Sequence, residues 1–352
     1  MGDIFEDGDN DIEMMAKTAE KPGLPFNLRL KAWWEGYDTA DLAQRWAAVH
    51  GGKSDPAAAD ESSEKRTVEP PKQVEADVPL RRPHMPWDER RVEIAELVWG
   101  EGYCGPGGPE NVIAMSKLLA LSPEMSMLVL GAELGGPART LASHFGVWIS
   151  GYEGEKELAE AGMAISERKG MAKKAPIIRY DFEELEPFER RFDRVLSKEY
   201  LFRLEDIEAV FKTVEESLKD DGLFLITNYV LADEPAGFDS EVRQWMQDEP
   251  QPVYMRTGDE VCQILKNSGF GIRVNEDITD HYQSLVRQTW AKAEDYIATL
   301  MKKGDSAKPY IDVLLKEAEL WTKRGRLFEE GKLKVARILA HKKDAQRLMS
   351  DW

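Results

Sequence analysis

The chain has 352 residues, 42% hydrophobic and 32% charged, enough for one large domain with extensions or for two smaller ones. Its 65 Asp and Glu outnumber its 47 Lys and Arg, and the net charge of −18 argues against general binding to nucleic acid or to anionic membranes. Cys104 and Cys262, with no CxxC pair, provide no disulfide framework and fit a reducing, cytoplasmic setting, and no apolar run of about 18 residues predicts a transmembrane segment.

Residues 1–27 open with Asp3, Glu6, Asp7, Asp9, Asp11 and Glu13, the reverse of a signal peptide's basic start, and read as a disordered acidic tail. Residues 28–50 form a helical element. Leu30, Trp33, Trp34 and Tyr37 recur at helical spacing, and Leu42, Trp46 and Val49 mark a second stripe. Residues 51–84, rich in Pro, Ala, Ser and charge, are a flexible linker. The helical element reads either as a flap packed on the main domain or as a surface for a protein partner or self-association.

The main domain spans 85–345, followed by a tail at 346–352. Helices are expected over 88–99 and 109–121, with a Gly/Pro loop, WGEGYCGPGGPE, between them. Strands at 127–130, 147–152, 176–180, 192–197, 222–228, 271–276 and 332–340 then alternate with helices near 137–145, 153–169, 205–218 and 257–268. A long helical stretch covers 280–328. This alternation predicts an α/β fold with a mostly parallel sheet and helices on both faces.

The first strand runs into LGAELGGPARTLA. In the order strand, glycine turn, helix, the backbone comes close to a nucleotide-sized ligand at the carboxyl edge of the sheet. Gly131, Gly135 and Gly136 carry no Cβ and leave room for that approach. Glu153 follows strand two about twenty residues later, where a carboxylate accepts hydrogen bonds from ribose hydroxyls. Asp181 and Phe182 follow strand three, placing a carboxylate and an aromatic ring beside a purine. Glu199 and Tyr200 follow strand four and read equally as substrate contacts or as a charged turn. Tyr103 caps a ligand or packs in its rigid loop. Cys104 reads as a small buried residue, His144 as a helix-surface residue, and His281 as a candidate for proton removal. Glu276, Asp277 and Asp280 read as a cationic-substrate site or as a helix cap. No His/Cys/Asp set has metal-ligand spacing.

Together GYCGPGGPE (102–110), LGAELGGPARTLA (130–142), GYE (151–153), YDFEEL (180–185), FDRVLSKEYLFRLED (192–206), ESLKDDGLFLITNYV (216–230) and GFGIRVNEDIT (269–279) resemble the class I S-adenosylmethionine-dependent methyltransferases. The branch is that of sarcosine/dimethylglycine, phosphoethanolamine and cyclopropane-fatty-acid-type enzymes, and the resemblance covers about 88–341. It implies a Rossmann-like seven-stranded sheet in the order 3-2-1-4-5-7-6, with strand seven antiparallel and residues 280–330 as a helical lid. It also implies S-adenosylmethionine as cofactor and a small-molecule or lipid-like substrate. The cofactor-binding candidates are then Gly131, Glu133, Gly135, Gly136, Glu153, Asp181, Phe182 and Ser197. The catalytic candidates are Tyr103, Glu199, Tyr200 and His281. Two positions depart from the pattern. Val129 stands where an acidic residue is usual, and Glu133 stands at the family's middle glycine. Either the Glu133 carboxylate compensates by facing the cofactor's ammonium, or its side chain fills the pocket. The rival is a non-catalytic regulatory or scaffold protein that has lost cofactor binding. A nicotinamide-dependent oxidoreductase is disfavoured by the lack of GxGxxG after strand one.

Overall fold

The structure, a computed structural model, describes residues 85–232 and 239–343. The expected tail at 1–27, helical element at 28–50, linker at 51–84 and tail at 346–352 lie outside the described residues.

Two helices lead in: α1 (Glu89–Trp99), capped by the Asp88 side chain accepting from the Arg91 N–H, and α2 (Gly108–Ser116). The domain then alternates β1 (Ser126–Leu130), α3 (Gly136–Phe145), β2 (Trp148–Glu153), α4 (Lys156–Arg168), β3 (Ile177–Arg179) and β4 (Phe192–Lys198). It continues through α5 (Ile207–Ser217), β5 (Leu218–Leu231), α6 (Ser240–Asp248), α7 (Gly258–Asn267) and β6 (Phe270–Asp277). Helices α8 (Thr279–Trp290), α9 (Ala293–Met301) and α10 (Ala307–Glu329) precede β7 (Leu333–Lys342).

The seven strands form one sheet in the order β3-β2-β1-β4-β5-β7-β6. The pairs from β3 to β5 are parallel, and β7 runs antiparallel to both β5 and β6. This is the expected topology. Four of the five residues of β1 are buried, as a central parallel strand covered on both faces requires. Leu128, Phe192, Phe211, Phe224, Phe270 and Ile338 are fully buried in one core cluster, and each such burial contributes about 1.5–3 kcal/mol.

Three expected elements differ. The helix expected over 109–121 stops at Ser116, and a 3₁₀ turn over Lys117–Leu119 ends at Ala120, whose φ is +46°. Strand β5 runs well past 222–228 because β7 pairs with it as far as Leu231↔Leu333. The stretch 280–328 is three helices, broken at Ala291–Lys292 and again at a 3₁₀ turn over Gly304–Ser306. Helix α6 was not expected. It buries only Val242 and Trp245, too few apolar residues to show a period, and forms because the Asp239 side chain caps the Glu241 and Val242 N–H groups.

Candidate functional site

Strand register assembles the site. Leu130 pairs with Tyr152 on one side and with Ser197 on the other. The residues at and just beyond the ends of these three strands, Gly131, Glu153 and Lys198–Tyr200, therefore emerge together at the carboxyl edge of the sheet.

The turn after β1 has φ of +65° at Gly131, +51° at Glu133 and +78° at Gly135. Glu133 thus keeps the left-handed backbone of a glycine position, at a cost of about 1–2 kcal/mol for a residue with a Cβ. The Glu133 N–H donates to Glu153 Oε2 at 2.6 Å, and the Glu155 N–H donates to Glu153 Oε1 at 2.8 Å. One carboxylate therefore pins two turns together. Glu153 is only 1% exposed, and burial raises its pKa to about 7 against the opposing pull of the two N–H donors. Each oxygen retains a lone pair for a further donor.

Glu133 is likewise pushed up by burial, and the charge that most favours its ionised form is Lys198. Burial disfavours the Lys198 ammonium, but Glu199 and Glu133 outweigh it and hold its pKa above the usual lysine range. Lys198 pairs with Glu199 Oε2, while Glu199 Oε1 accepts from Thr227 Oγ1 at 2.6 Å. The Lys198 ammonium itself is paired with Glu199, and its charge acts on Glu133 without a direct ion pair. Val129 is buried in β1 and offers no acceptor.

Tyr200 lies across the turns. A Cβ built on Gly131 would come within 2.1 Å of its ring, and one built on Gly154 within 2.2 Å of its hydroxyl. Phe182 packs beside it, with ring centroids 5.1 Å apart. A cavity of about 300 Å³ opens here, lined by Glu133, Glu153, Gly154, Asp181, Phe182, Glu199 and Tyr200. Helix α10 covers it with Glu317, Trp321 and Arg324, and Trp87 and Arg91 join from before and within α1. Arg91 Nε donates to Glu317 Oε1 at 2.6 Å. Arg324 makes a two-pronged pair with buried Glu249, both contacts at 2.7 Å.

Other candidates fall elsewhere. Tyr103 is buried, with its hydroxyl 2.7 Å from Thr140 Oγ1 on α3, and does not line this cavity. Gly136 lies against Gly102, whose oxygen accepts the Gly136 N–H at 2.7 Å, and a Cβ there would strike that oxygen at 2.4 Å. Gly135 packs against Ile177 and Arg139. Ser197 is fully buried within β4, away from the cavity. His281 is exposed, with Nε2 at 3.0 Å from Asn111 Oδ1, and also lies off the cavity. Asp181 is exposed at the rim, its Oδ1 accepting the Glu183 N–H. Sequence reasoning missed Lys198, Trp321 and the Arg324–Glu249 pair. A lysine at the end of the apolar run of β4 was the one available signal.

A family profile described as mycolic acid cyclopropane synthetase matches residues 111–311. The phosphoethanolamine N-methyltransferase 2 of Caenorhabditis elegans is 26% identical over 218 residues, covering 60% of this chain and 48% of that protein. A sterol 24-C-methyltransferase of Yarrowia lipolytica is 27% identical over 165 residues, covering 46% of this chain and 43% of its own. The chain therefore spans about half the length of these curated relatives. Among solved structures, the phosphoethanolamine N-methyltransferase 2 of Haemonchus contortus in complex with S-adenosyl-L-methionine superposes with a TM-score of 0.63 at 20% identity, covering 72% of this chain and 57% of that one. The cyclopropane synthase MmaA2 of Mycobacterium tuberculosis superposes at 0.57 with 16% identity, covering 73% and 95%. Both share the seven-stranded fold. With more than half its length inside the family profile, the chain belongs to the mycolic acid cyclopropane synthetase family.

Proposed function

We propose that the protein is a methyltransferase that uses S-adenosylmethionine as methyl donor. The observation that carries this reading is the Glu153 carboxylate, held between two turns at the edge of a cavity where β1, β2 and β4 end. The residues present fit such a cofactor in kind. Glu153 and Asp181 accept hydrogen bonds from hydroxyl and amino groups, Phe182 forms an apolar wall, and Gly154 leaves backbone exposed to the cavity. When bound, the cofactor supplies a methyl group activated on a sulfonium. The chain's own part is to align and enclose. Glu153 and Phe182 would orient the nucleoside, while Trp87 and Trp321 limit water, so that proximity supplies much of the rate.

The lining favours a small polar acceptor over a long acyl chain, since Arg91, Arg203, Arg324, Glu199 and Glu317 bring charge to the cavity. Helices α8–α10 serve as the lid, and α10 reaches the cavity directly. Among the described residues no helix is long and apolar enough to cross a membrane, and the free cysteines support a cytoplasmic setting. Association through residues 28–50 is tested by replacing Trp33 and Trp34 in the full chain and measuring its mass in solution. Calorimetric titration with S-adenosylhomocysteine should give a dissociation constant of about 1–100 µM, or roughly −8 to −5 kcal/mol. No heat at about millimolar ligand would overturn the cofactor reading in favour of a non-catalytic relative.

A further inference from the structure

We infer that Tyr200 occupies the place of the cofactor's nucleoside and must rotate away before a nucleoside can bind, so that it sets the affinity of the site. The inference rests on the cofactor reading above.

Tyr200 bridges the two turns between which an α/β sheet takes up a nucleotide. Its ring lies against Gly131 after β1, and its hydroxyl lies against Gly154 after β2. Phe182, the wall available to a purine, is in contact with this ring instead. Two residues earlier, Lys198 pairs with Glu199, and its charge acts also on buried Glu133. The segment after β4 therefore places an aromatic ring against the turns where a cofactor's nucleoside would lie.

The side chain is held by packing alone. Its hydroxyl makes no hydrogen bond with a described residue. Its neighbours, by contrast, are anchored. Glu199, at a left-handed φ of +46°, is tied to Lys198 and Thr227. The Phe202 N–H donates to Asn228 Oδ1 at 3.0 Å, and its carbonyl accepts the Tyr254 N–H at 2.7 Å. With both flanks fixed, the movement open to Tyr200 is a change of side-chain rotamer that lifts its ring off the Gly131 and Gly154 turns.

The test compares Y200A, Y200F and wild type by calorimetry with S-adenosylhomocysteine, adenosine and methionine. Y200A should bind S-adenosylhomocysteine and adenosine at least about tenfold more tightly, because no rotation precedes binding. Its response to methionine should match wild type, and Y200F should stay within about twofold of wild type because the ring remains. Y200S replaces Y200A if that variant fails to fold. Weaker or unchanged nucleoside binding in the truncated variant overturns the inference, because Tyr200 would then be a wall of the site or lie outside it. In that case binding by wild type leaves the cofactor reading intact. If no variant binds any of the three ligands, both fall.

Discussion

Glu153 shows how one residue links the fold to the chemistry. Its carboxylate joins the turns after β1 and β2, yet it is almost wholly buried, and its pKa rises from 4.5 to about 7. In the unfolded chain it loses its proton near the ordinary carboxylate value, and in the folded chain near neutrality. Between those limits the folded state holds more protons. Stability should therefore fall as pH rises through the window, by on the order of 3 kcal/mol. E153Q does not titrate and should flatten that slope. Denaturant unfolding at about pH 5 and about pH 8 checks it. Equal slopes in both proteins would mean that Glu153 is ionised throughout. Glu133 follows a different logic. Its left-handed backbone preserves the glycine-turn shape, and the Lys198 charge is the strongest influence opposing the rise that burial imposes on its pKa.

Among the elements, α10 carries a buried ion pair. Arg324 and Glu249 are both nearly inaccessible, and Trp245 Nε1 also donates to Glu249 Oε1 at 2.7 Å. Burial alone would raise the Glu249 pKa, but Arg324 overrides it and holds the carboxyl below its usual range. This contribution is present above the ordinary carboxylate value and is lost as pH falls through the lowered one. R324M should destabilise by about 3–5 kcal/mol, because it strands the buried Glu249 charge just after α6. The double replacement R324M with E249L should recover most of that loss, since a buried ion pair exchanged for apolar packing is often nearly neutral. Urea unfolding of the three proteins decides. A single-variant cost below about 1 kcal/mol would show that packing of Trp321 and its neighbours, rather than the ion pair, seats the helix.

At the scale of the whole molecule, ligand binding and stability are linked. If S-adenosylhomocysteine binds only the folded chain, a concentration about a hundredfold above its dissociation constant should add about 2.7 kcal/mol to unfolding. Thermal denaturation with and without the ligand reads this as a rise in Tm, and an unchanged Tm at that concentration would deny binding. The sheet itself was legible in the chain. The apolar runs of β1, β2 and β4, the glycine turn and the acid after β2 are local signals, because strand period, turn geometry and burial are written in neighbouring residues. From the sequence alone came the α/β class, the strand order implied by the resemblance, and the carboxyl edge as the place to look. Helix α6 and the break between α9 and α10 were not legible, since a single Asp239 cap sets the first and Gly304, at a left-handed φ, the second. Nor was the content of the site. Tyr200 meets Gly131 only because β4 pairs with β1 in the register Leu130↔Ser197. Register is a long-range property, set by how whole strands pack. The tertiary structure therefore decided which side chains share the cavity, left Tyr103, Ser197 and His281 outside it, and drew in Trp321 and Arg324 from a helix far along the chain.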